Sequence, residues 1–431
     1  MAEDQSFISS VSFENHPTIS IKSKTKMQYY YALKYIVKQI KTTEYMNCRM
    51  ELYKQFLIGD STETLDDKSC INSIVICKFQ PWRNKYKFWL ICDIALIVND
   101  YQFIEPLAEM IKNSVSAKQQ KLIEQLLTIL RQSEIDIPPR FLQIKNLIEQ
   151  YWANSSFASQ KEQKIIITAN MSAGKSTLIN ALTGRNIART SQEVCTGNIC
   201  YFYNKAFDDG RMHFNSQTLS YSADDKDIKT FEWDMPVSIA ASFRSAGGFQ
   251  RRICLVDTPG VNSALSREHG KIAKKCIKEK QYNMVLYIFN ANKLGTDEEI
   301  TYLKWISKNV SEKNLLFVMN KLDDFRRSDD SIETSIEGVK TDLKNVGFEN
   351  PMIFPISAYF AYLIKKDASG TPLSEDELDE YKLYKRKFGT PEYNLSRFYG
   401  EIVSESDNSF EELLKKSGVY YLEKKIYGGS I

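Results

Sequence analysis

The chain has 431 residues, 43% of them hydrophobic and 26% charged, so it is long enough for two domains with ordinary globular cores. Its formal net charge of +3 is small for this length and does not require a nucleic-acid partner. The 8 cysteines are scattered singly and the 3 histidines lie far apart without an HExxH motif, so we expect a reducing, cytoplasmic setting and no zinc hydrolase.

The first part of the chain carries helical periodicity. Residues 1–20 are polar and show no sustained period, so we expect a flexible arm there. Over 21–158 apolar residues recur at intervals of three and four, as between Tyr29 and Ile40, which predicts an all-α helical domain. The apolar run Phe88–Val98 is shorter than the roughly 20 residues that a bilayer core needs, and it predicts a buried helix.

Short apolar runs separated by helical patterns characterise the second part of the chain. This alternation predicts an α/β domain over 159–370 with a mostly parallel sheet, followed by helices over 371–431 that pack on either domain. The predicted strands are Lys164–Ala169, Ile253–Asp257, Met284–Phe289, Leu315–Met319 and Met352–Ile356.

A phosphate-binding loop follows the first of these strands. The segment ANMSAGKST lies between a strand and a helix, the context of a Walker A loop, whose backbone amides and helix N-terminus point at phosphate oxygens. We expect Lys175 to reach the β- and γ-phosphates and Ser176 to bind Mg²⁺. The usual first glycine of the motif is Ala169 here, and alanine adopts a positive φ poorly. The predicted nucleotide-contacting residues of this loop are Asn170, Met171, Ser172, Ala173, Gly174, Lys175, Ser176 and Thr177.

Two further segments complete the predicted metal site of this P-loop domain. Asp257 ends a strand and begins the tetrad DTPG, where its carboxylate could hold Mg²⁺ through water and the amide of Gly260 could sense the γ-phosphate. A threonine that binds the metal should precede this strand, and Thr190, Thr196 and Thr218 are candidates. Thr196 has the best position, so we predict Mg²⁺ ligands Ser176, Thr196 and Asp257.

The specificity for guanine is predicted at two later strand ends. In the tetrad NKLD, Asp323 would accept hydrogen bonds from N1–H and the exocyclic amine of guanine, Asn320 would bond the other edge, and Lys321 would pack along the base. Adenine lacks that donor pair, so GTP and GDP are favoured over ATP. Ser357 and Ala358 match the loop that backs the base. The motifs in this order predict a GTPase with GTP or GDP and Mg²⁺ as cofactors, and with Lys175, Ser176 and Thr196 as catalytic residues.

The segments NMSAGKSTLINALTG, EVCTGNI, DTPGVNS and NKLD resemble the dynamin superfamily, especially bacterial dynamin-like proteins. About sixty residues separate Thr196 from Asp257, more than in small Ras-like domains. The resemblance covers roughly 160–360 and implies GTP hydrolysis, a homodimer paired through its G domains, and relay through flanking helices. Where animal dynamins carry a glutamine that positions the attacking water, this loop has Met171. The residues after Ala358 are too few for a long stalk and membrane paddle.

Three classes of function remain open on the sequence alone. The first is a dynamin-like GTPase acting peripherally at the inner face of a membrane, with a partner dynamin-like chain. The second is a nucleotide switch of the immunity-related GTPase type, and the third an Era-type GTPase linked to ribosomes or RNA. The third usually carries a KH module with a GxxG loop, and no nucleic-acid partner is expected here. The 6 lysines without an acid between Asn15 and Thr43 fit a lipid-binding helix, or more simply a solvated bundle helix.

Overall fold

The contacts of the chain divide it into two units. The first comprises Met1–Gln160 and Lys205–Ala223, and the second comprises Lys161–Asn204 and Asp224–Ile431. The structure therefore differs from the predicted uninterrupted domain over 159–370, because a hairpin within that span belongs to the first unit. The computed structural model describes residues 6–76, 81–133, 135–169, 172–189, 198–224, 228, 235–248, 251–259, 267–291, 297–326, 331–401, 403–404 and 406–428.

Helices fill the first 160 residues, and strands alternate with helices after that. The helices are α1 (Ser23–Val37), α2 (Glu44–Ile58), α3 (Asp67–Ile71), α4 (Tyr86–Val98), α5 (Tyr101–Lys112), α6 (Ala117–Arg131), α7 (Lys145–Ser159), α8 (Lys175–Thr183), α9 (Arg267–Lys278), α10 (Asp297–Asn309), α11 (Ile332–Val346), α12 (Ala358–Ala368), α13 (Glu375–Gly389), α14 (Phe410–Lys416) and α15 (Val419–Ile426). The strands are β1 (Gln163–Ala169), β2 (Cys200–Asn204), β3 (Met212–Asn215), β4 (Leu219–Ala223), β5 (Val237–Ala241), β6 (Ile253–Asp257), β7 (Met284–Asn290), β8 (Leu315–Asn320) and β9 (Ile353–Pro355).

The first unit is organised around α4. Nearly every residue of this helix is buried, and α1, α2, α5 and α7 pack against it. An all-round apolar helix is expected at the centre of a bundle, so the buried helix predicted from Phe88–Val98 is confirmed. Among the helices in the described ranges, none is both long enough and apolar enough to cross a bilayer.

A carboxylate lies in the middle of this buried helix. Asp93 accepts hydrogen bonds from Tyr29 Oη at 2.6 Å, from Tyr53 Oη at 3.0 Å and from His16 Nε2 at 3.0 Å. The Nδ1 atom of His16 accepts the Thr18 N–H at 3.2 Å, so the ring proton is on Nε2. Three donors satisfy a charge whose burial would otherwise cost several kcal/mol. The cluster thereby ties α1 and α2 to α4.

The N-terminal segment is packed, which corrects the expectation of a flexible arm over 1–20. In its described part, Phe7 and Ile8 are buried. The Ile8 carbonyl accepts the Ala206 N–H at 3.4 Å, and His213 Nδ1 bonds the Phe7 carbonyl at 2.6 Å. These partners lie about 200 residues away in sequence. Local periodicity carries no information about such a distant partner, so the sequence pattern could not show it.

The β3–β4 hairpin and its approach carry a buried charged cluster. Lys205 Nζ and Asp209 Oδ1 form an ion pair at 2.6 Å, and the second carboxylate oxygen accepts the Val11 N–H at 3.1 Å. His213 stacks on Tyr221 with ring centroids 3.9 Å apart. Burial lowers the pKa of His213 well below its usual range, and the nearby Lys205 lowers it further. The His213 ring is therefore neutral and accepts from Lys205 at 3.1 Å.

The strands of the second unit follow the order β5-β2-β6-β1-β7-β8-β9. The neighbours from β6 to β9 are paired in parallel, whereas β2 runs antiparallel to β6. Strands β6 and β8 are continuous buried runs, as expected where both faces of a parallel sheet are covered. The predicted mostly parallel α/β sheet is confirmed. Because β1, β6, β8 and β9 are parallel, their carboxyl ends lie at one edge, where ligands of such sheets bind.

The C-terminal helices belong to the second unit. Lys365 of α12 forms an ion pair with Glu423 of α15, and both side chains are buried. Lys365 Nζ also donates to the carbonyl of Leu182 in α8 at 3.3 Å, and Glu423 accepts the Ala246 N–H at 3.0 Å. A buried ion pair needs such additional hydrogen bonds to offset its desolvation. The last helix is thus connected to the end of the helix that begins at the phosphate loop.

Candidate functional site

The phosphate loop connects β1 to α8. Gly174 caps α8 with a φ of 87°, and a Cβ on it would collide with the side-chain amide of Asn320, so glycine is required there. Ser172 also has a positive φ of 60°. Ala169 is not among the residues with positive φ; it ends β1, paired with Ile288. The alanine in place of the first glycine is therefore accommodated as ordinary strand backbone. Half-buried Lys175 and Ser176 begin α8.

Asp257 lies at the carboxyl end of β6, beside β1. Its register partner there is Ile167, whose carbonyl accepts a hydrogen bond from Thr258 Oγ1 at 2.9 Å. Asp257 is buried, and its Oδ1 atom has no hydrogen-bond partner among the residues that the structure describes. Burial raises its pKa to about 6, while the nearby Lys175 ammonium opposes that rise. An unpartnered buried carboxylate beside the phosphate loop is suited to bind a cation.

Asn320 links two of the predicted loops. Its Nδ2 donates to the carbonyl of Ala173 in the phosphate loop at 3.0 Å, and its Oδ1 accepts the N–H of Ala358 at 3.1 Å. The side chain is buried. The amide therefore fixes the spacing between the phosphate loop and the loop after β9. The adjacent Lys321 adopts a φ of 69°, which reverses the backbone after β8.

Asp323 is positioned by the loop after β9. Ser357 Oγ donates to its Oδ1 at 2.5 Å, and the same Ser357 accepts the Phe360 N–H at the start of α12. Burial raises the pKa of Asp323, and the Ser357 hydrogen bond opposes the rise. An oriented and partly desolvated carboxylate discriminates strongly between ligands that can and cannot donate to it.

A cavity of about 260 Å³ lies between the phosphate loop and the NKLD tetrad. Besides Gly174 and Asp323, its walls include Tyr359 of α12 and Glu380 and Tyr384 of α13. Tyr359 Oη donates to Glu380 at 2.5 Å. The sequence motifs did not predict these three wall residues. A helix was expected there, but only its packing shows which face meets the cavity.

The structure brings together the predicted residues Ala173, Gly174, Lys175, Ser176, Thr177, Asp257, Asn320, Lys321, Asp323, Ser357 and Ala358 at the carboxyl edge of the sheet, with Ser172 in the loop beside them. Thr218, a weaker candidate, lies in the turn between β3 and β4 of the first unit. The predicted residues Asn170, Met171, Thr196 and Gly260 lie outside the described residues, as does Thr190.

A buried asparagine, also absent from the predictions, holds the chain after α8. Asn180 Oδ1 accepts the N–H groups of Ile187 and Ala188 at 3.0 and 2.8 Å, and its Nδ2 donates to the Ala188 carbonyl at 2.9 Å. Three hydrogen bonds from one side chain fix the start of the segment that leads to Thr196. The only sequence signal for the role of Asn180 is its place inside a helix, where asparagine is unfavourable.

Residues 165–322 match the sequence profile of the dynamin family. This span is a little over a third of the chain and runs from β1 to the loop after β8, so it includes the phosphate loop, Asp257 and Asn320. The chain carries a dynamin-type GTPase domain. No curated protein sequence matches the chain.

Solved structures with partial similarity to this chain include an oligomerised bacterial dynamin pair, at 14% identity and a TM-score of 0.39, over 95% of this chain and 61% of that one. Era of Aquifex aeolicus matches at 16% identity and a TM-score of 0.28, over 50% and 59% of the two chains. Toc33 of Arabidopsis thaliana matches at 14% identity and a TM-score of 0.30, over 53% and 82%. The chain thus spans less than two thirds of the bacterial dynamin and of Era.

The activity that a dynamin-type GTPase domain implies is GTP hydrolysis. The described residues fit a magnesium nucleotide in three respects. Asp257 offers a buried, unpartnered oxygen; Gly174 lacks the Cβ that would close the loop; and Lys175 lies close enough to Asp257 to affect its pKa. A cation and a polyphosphate would satisfy these groups together.

Proposed function

We propose that GTP and GDP bind with Mg²⁺ at the carboxyl edge of this sheet. In this proposal the phosphate-loop amides and Lys175 hold the phosphates, and Ser176, Thr196 and Asp257 hold the metal. Asn320, Lys321, Asp323 and Ser357-Ala358 bind the guanine. The observation that carries the proposal is the buried, unpartnered Oδ1 of Asp257 beside the phosphate loop. When bound, Mg²⁺ would neutralise phosphate charge.

We further propose that turnover depends on pairing of two G domains across their nucleotides. The match of residues 165–322 to the dynamin family supports this, since self-association is what the family resemblance implies. The thioether of Met171 has no hydrogen-bond donor and is only a weak acceptor, so it is poorly suited to hold a water molecule in line with the γ-phosphate. Positioning supplies most of the catalysis in phosphoryl transfer, so a lone G domain should be slow. A second copy could supply the groups that position this water.

The specific GTPase activity per chain is expected to rise with protein concentration over about a hundredfold range, because pairing completes the site. Light scattering should show dimers with GDP and aluminium fluoride but not with GDP alone. Met171→Gln is expected to raise basal hydrolysis, because glutamine can hold the water without a partner. Flat specific activity, together with monomers in the transition-state mimic, would show that the chain acts alone or with a different partner.

A peripheral contact with anionic lipid at the inner face of a membrane is the remaining part of the proposal. Lys22, Lys24, Lys38 and Lys41 in and around α1 are exposed, and each lysine near an anionic surface contributes about 1 kcal/mol to attraction. A partner dynamin-like chain could add further contacts.

Vesicles containing phosphatidylserine are expected to sediment the protein, and more strongly with GTP than without. Charge reversal by Lys22→Glu with Lys24→Glu should reduce this binding severalfold, whereas Lys118→Glu with Lys121→Glu on α6 makes the same change in charge and should have a smaller effect. Equal binding to neutral phosphatidylcholine vesicles, or none to either, would refute the lipid contact and favour a switch that acts in solution.

A further inference from the structure

Helix α13 is anchored to the G domain by its aromatic face. Phe388 stacks on Phe360 of α12 with ring centroids 5.1 Å apart, and Tyr381 packs against the same ring at 6.2 Å. Phe360 and Phe388 are fully buried. This packing holds α13 in a fixed orientation on α12, which begins directly after Ser357.

The neighbouring face of α13 meets the guanine-recognition loop. Lys387 Nζ donates to the carbonyl oxygens of Asp323 at 2.6 Å, Phe325 at 2.5 Å and Leu322 at 3.4 Å. Three backbone carbonyls on one ammonium fix the path of the chain around Asp323. The conformation of the NKLD tetrad therefore depends on α13.

Tyr384 and Glu380 lie one and two turns before Lys387 on the same side of the helix. Both line the cavity that also contains Gly174 and Asp323. Tyr359 Oη donates to Glu380, and the Tyr359 and Tyr384 rings are 6.1 Å apart in an edge arrangement. Burial raises the pKa of Tyr384, and the Asp323 carboxylate raises it further. Tyr384 thus lies close to the carboxylate that we assign to guanine.

We propose that α13 is part of the guanine-nucleotide site and that the ring of Tyr384 packs against the guanosine of GDP and GTP. The proposal deepens, and rests on, the assignment of this cavity to guanine nucleotides. An aromatic ring offers any base a stacking surface. The hydrogen-bonded pair of Glu380 and Tyr359 holds the Tyr384 ring in place. Since the guanosine is common to GDP and GTP, the contact does not distinguish the two nucleotides. It couples the C-terminal helices to occupancy of the site.

Calorimetric titration of the full chain with GDP and with GMPPNP tests the contact. Tyr384→Ala is expected to weaken both ligands about tenfold and by the same factor, whereas Tyr384→Phe keeps the ring and should bind within about twofold of wild type. Leu383→Ala, at the exposed neighbouring position on α13, is the control and should bind normally. Binding of Tyr384→Ala within twofold of wild type would overturn the inference while leaving the nucleotide site intact. Failure of the wild-type chain to bind GDP would instead overturn the proposed function.

Hydrogen exchange on the wild-type chain decides the matter if Tyr384→Ala does not fold. GDP is expected to slow exchange both in the phosphate loop with α8 and in the amides of 375–389. Slowed exchange in α8 with unchanged exchange across α13 would show that the nucleotide binds without contacting α13.

Discussion

Lys175→Ala is expected to weaken GDP and GTP binding at least about a hundredfold, to below detection by calorimetry. The lysine contributes a charge-assisted contact to two phosphates. Lys175 is the cationic residue at the start of α8, where the Walker A lysine belongs. Removing it also removes the cation that opposes the rise in the pKa of Asp257. The nucleotide phosphates and the Asp257 carboxylate would then repel each other without the lysine charge to compensate.

The matched control for this change is Lys344→Ala, which removes the same side chain from an exposed position at the end of α11. Both variants should melt close to the wild-type temperature without ligand. Ser176→Asn is expected to bias the site toward GDP by disturbing the metal. Normal GTP binding by Lys175→Ala would place the phosphate cradle elsewhere in the chain.

Asp323→Asn is expected to lower GDP affinity by about a hundredfold or more and to favour xanthosine diphosphate. The carboxylate accepts from N1–H and the exocyclic amine of guanine, and an amide presents a donor where an acceptor is needed. Xanthine has an oxygen at the position of that amine, which the new amide can satisfy. The hydrogen bond from Ser357 at 2.5 Å holds the side chain in place for either base.

Asp324→Asn provides the control, because it makes the same change in charge one residue away in an exposed carboxylate that lines the same cavity. Competition titrations with GDP, ADP and xanthosine diphosphate should show no change in its preference. If the wild-type chain bound ADP as tightly as GDP, the NKLD tetrad would not determine the choice of base. The same would follow if Asp323→Asn and Asp324→Asn had equal nucleotide preferences.

The sequence predicted the elements that carry strong local signals. The strand Ile253–Asp257 has its predicted bounds, and α13, in the predicted C-terminal helical region, begins with a capping box in which the Glu377 N–H is 3.2 Å from Ser374 Oγ. The sequence patterns of the strand and of the capping box each lie within a few neighbouring residues. Motif order along a parallel sheet also predicts which loops converge, because every loop at a strand's carboxyl end lies at the same edge.

What the sequence did not show depends on contacts between distant segments. The concern about Ala169 assumed that the loop turns at that residue, whereas the positive φ angles fall at Ser172 and Gly174. The role of Lys387 could not be predicted, because its partners are three backbone carbonyls of another loop. Every residue has such a carbonyl, so the sequence does not mark these three. The roles of Thr196 and Met171 stay predictions.

The packing of the N-terminal segment on residues 205–223 has a consequence for how the chain folds during synthesis. Residues 6–13 leave the ribosome before the β3–β4 hairpin that they contact, which follows about 200 residues later, roughly 10 to 40 s at common translation rates. During that interval the Ile8 carbonyl lacks its hydrogen bond from Ala206, and the Phe7 carbonyl lacks its hydrogen bond from His213. These contacts of the first unit therefore form only after residues 205–223 have been made. A fragment that ends at Gln160 would lack these contacts altogether.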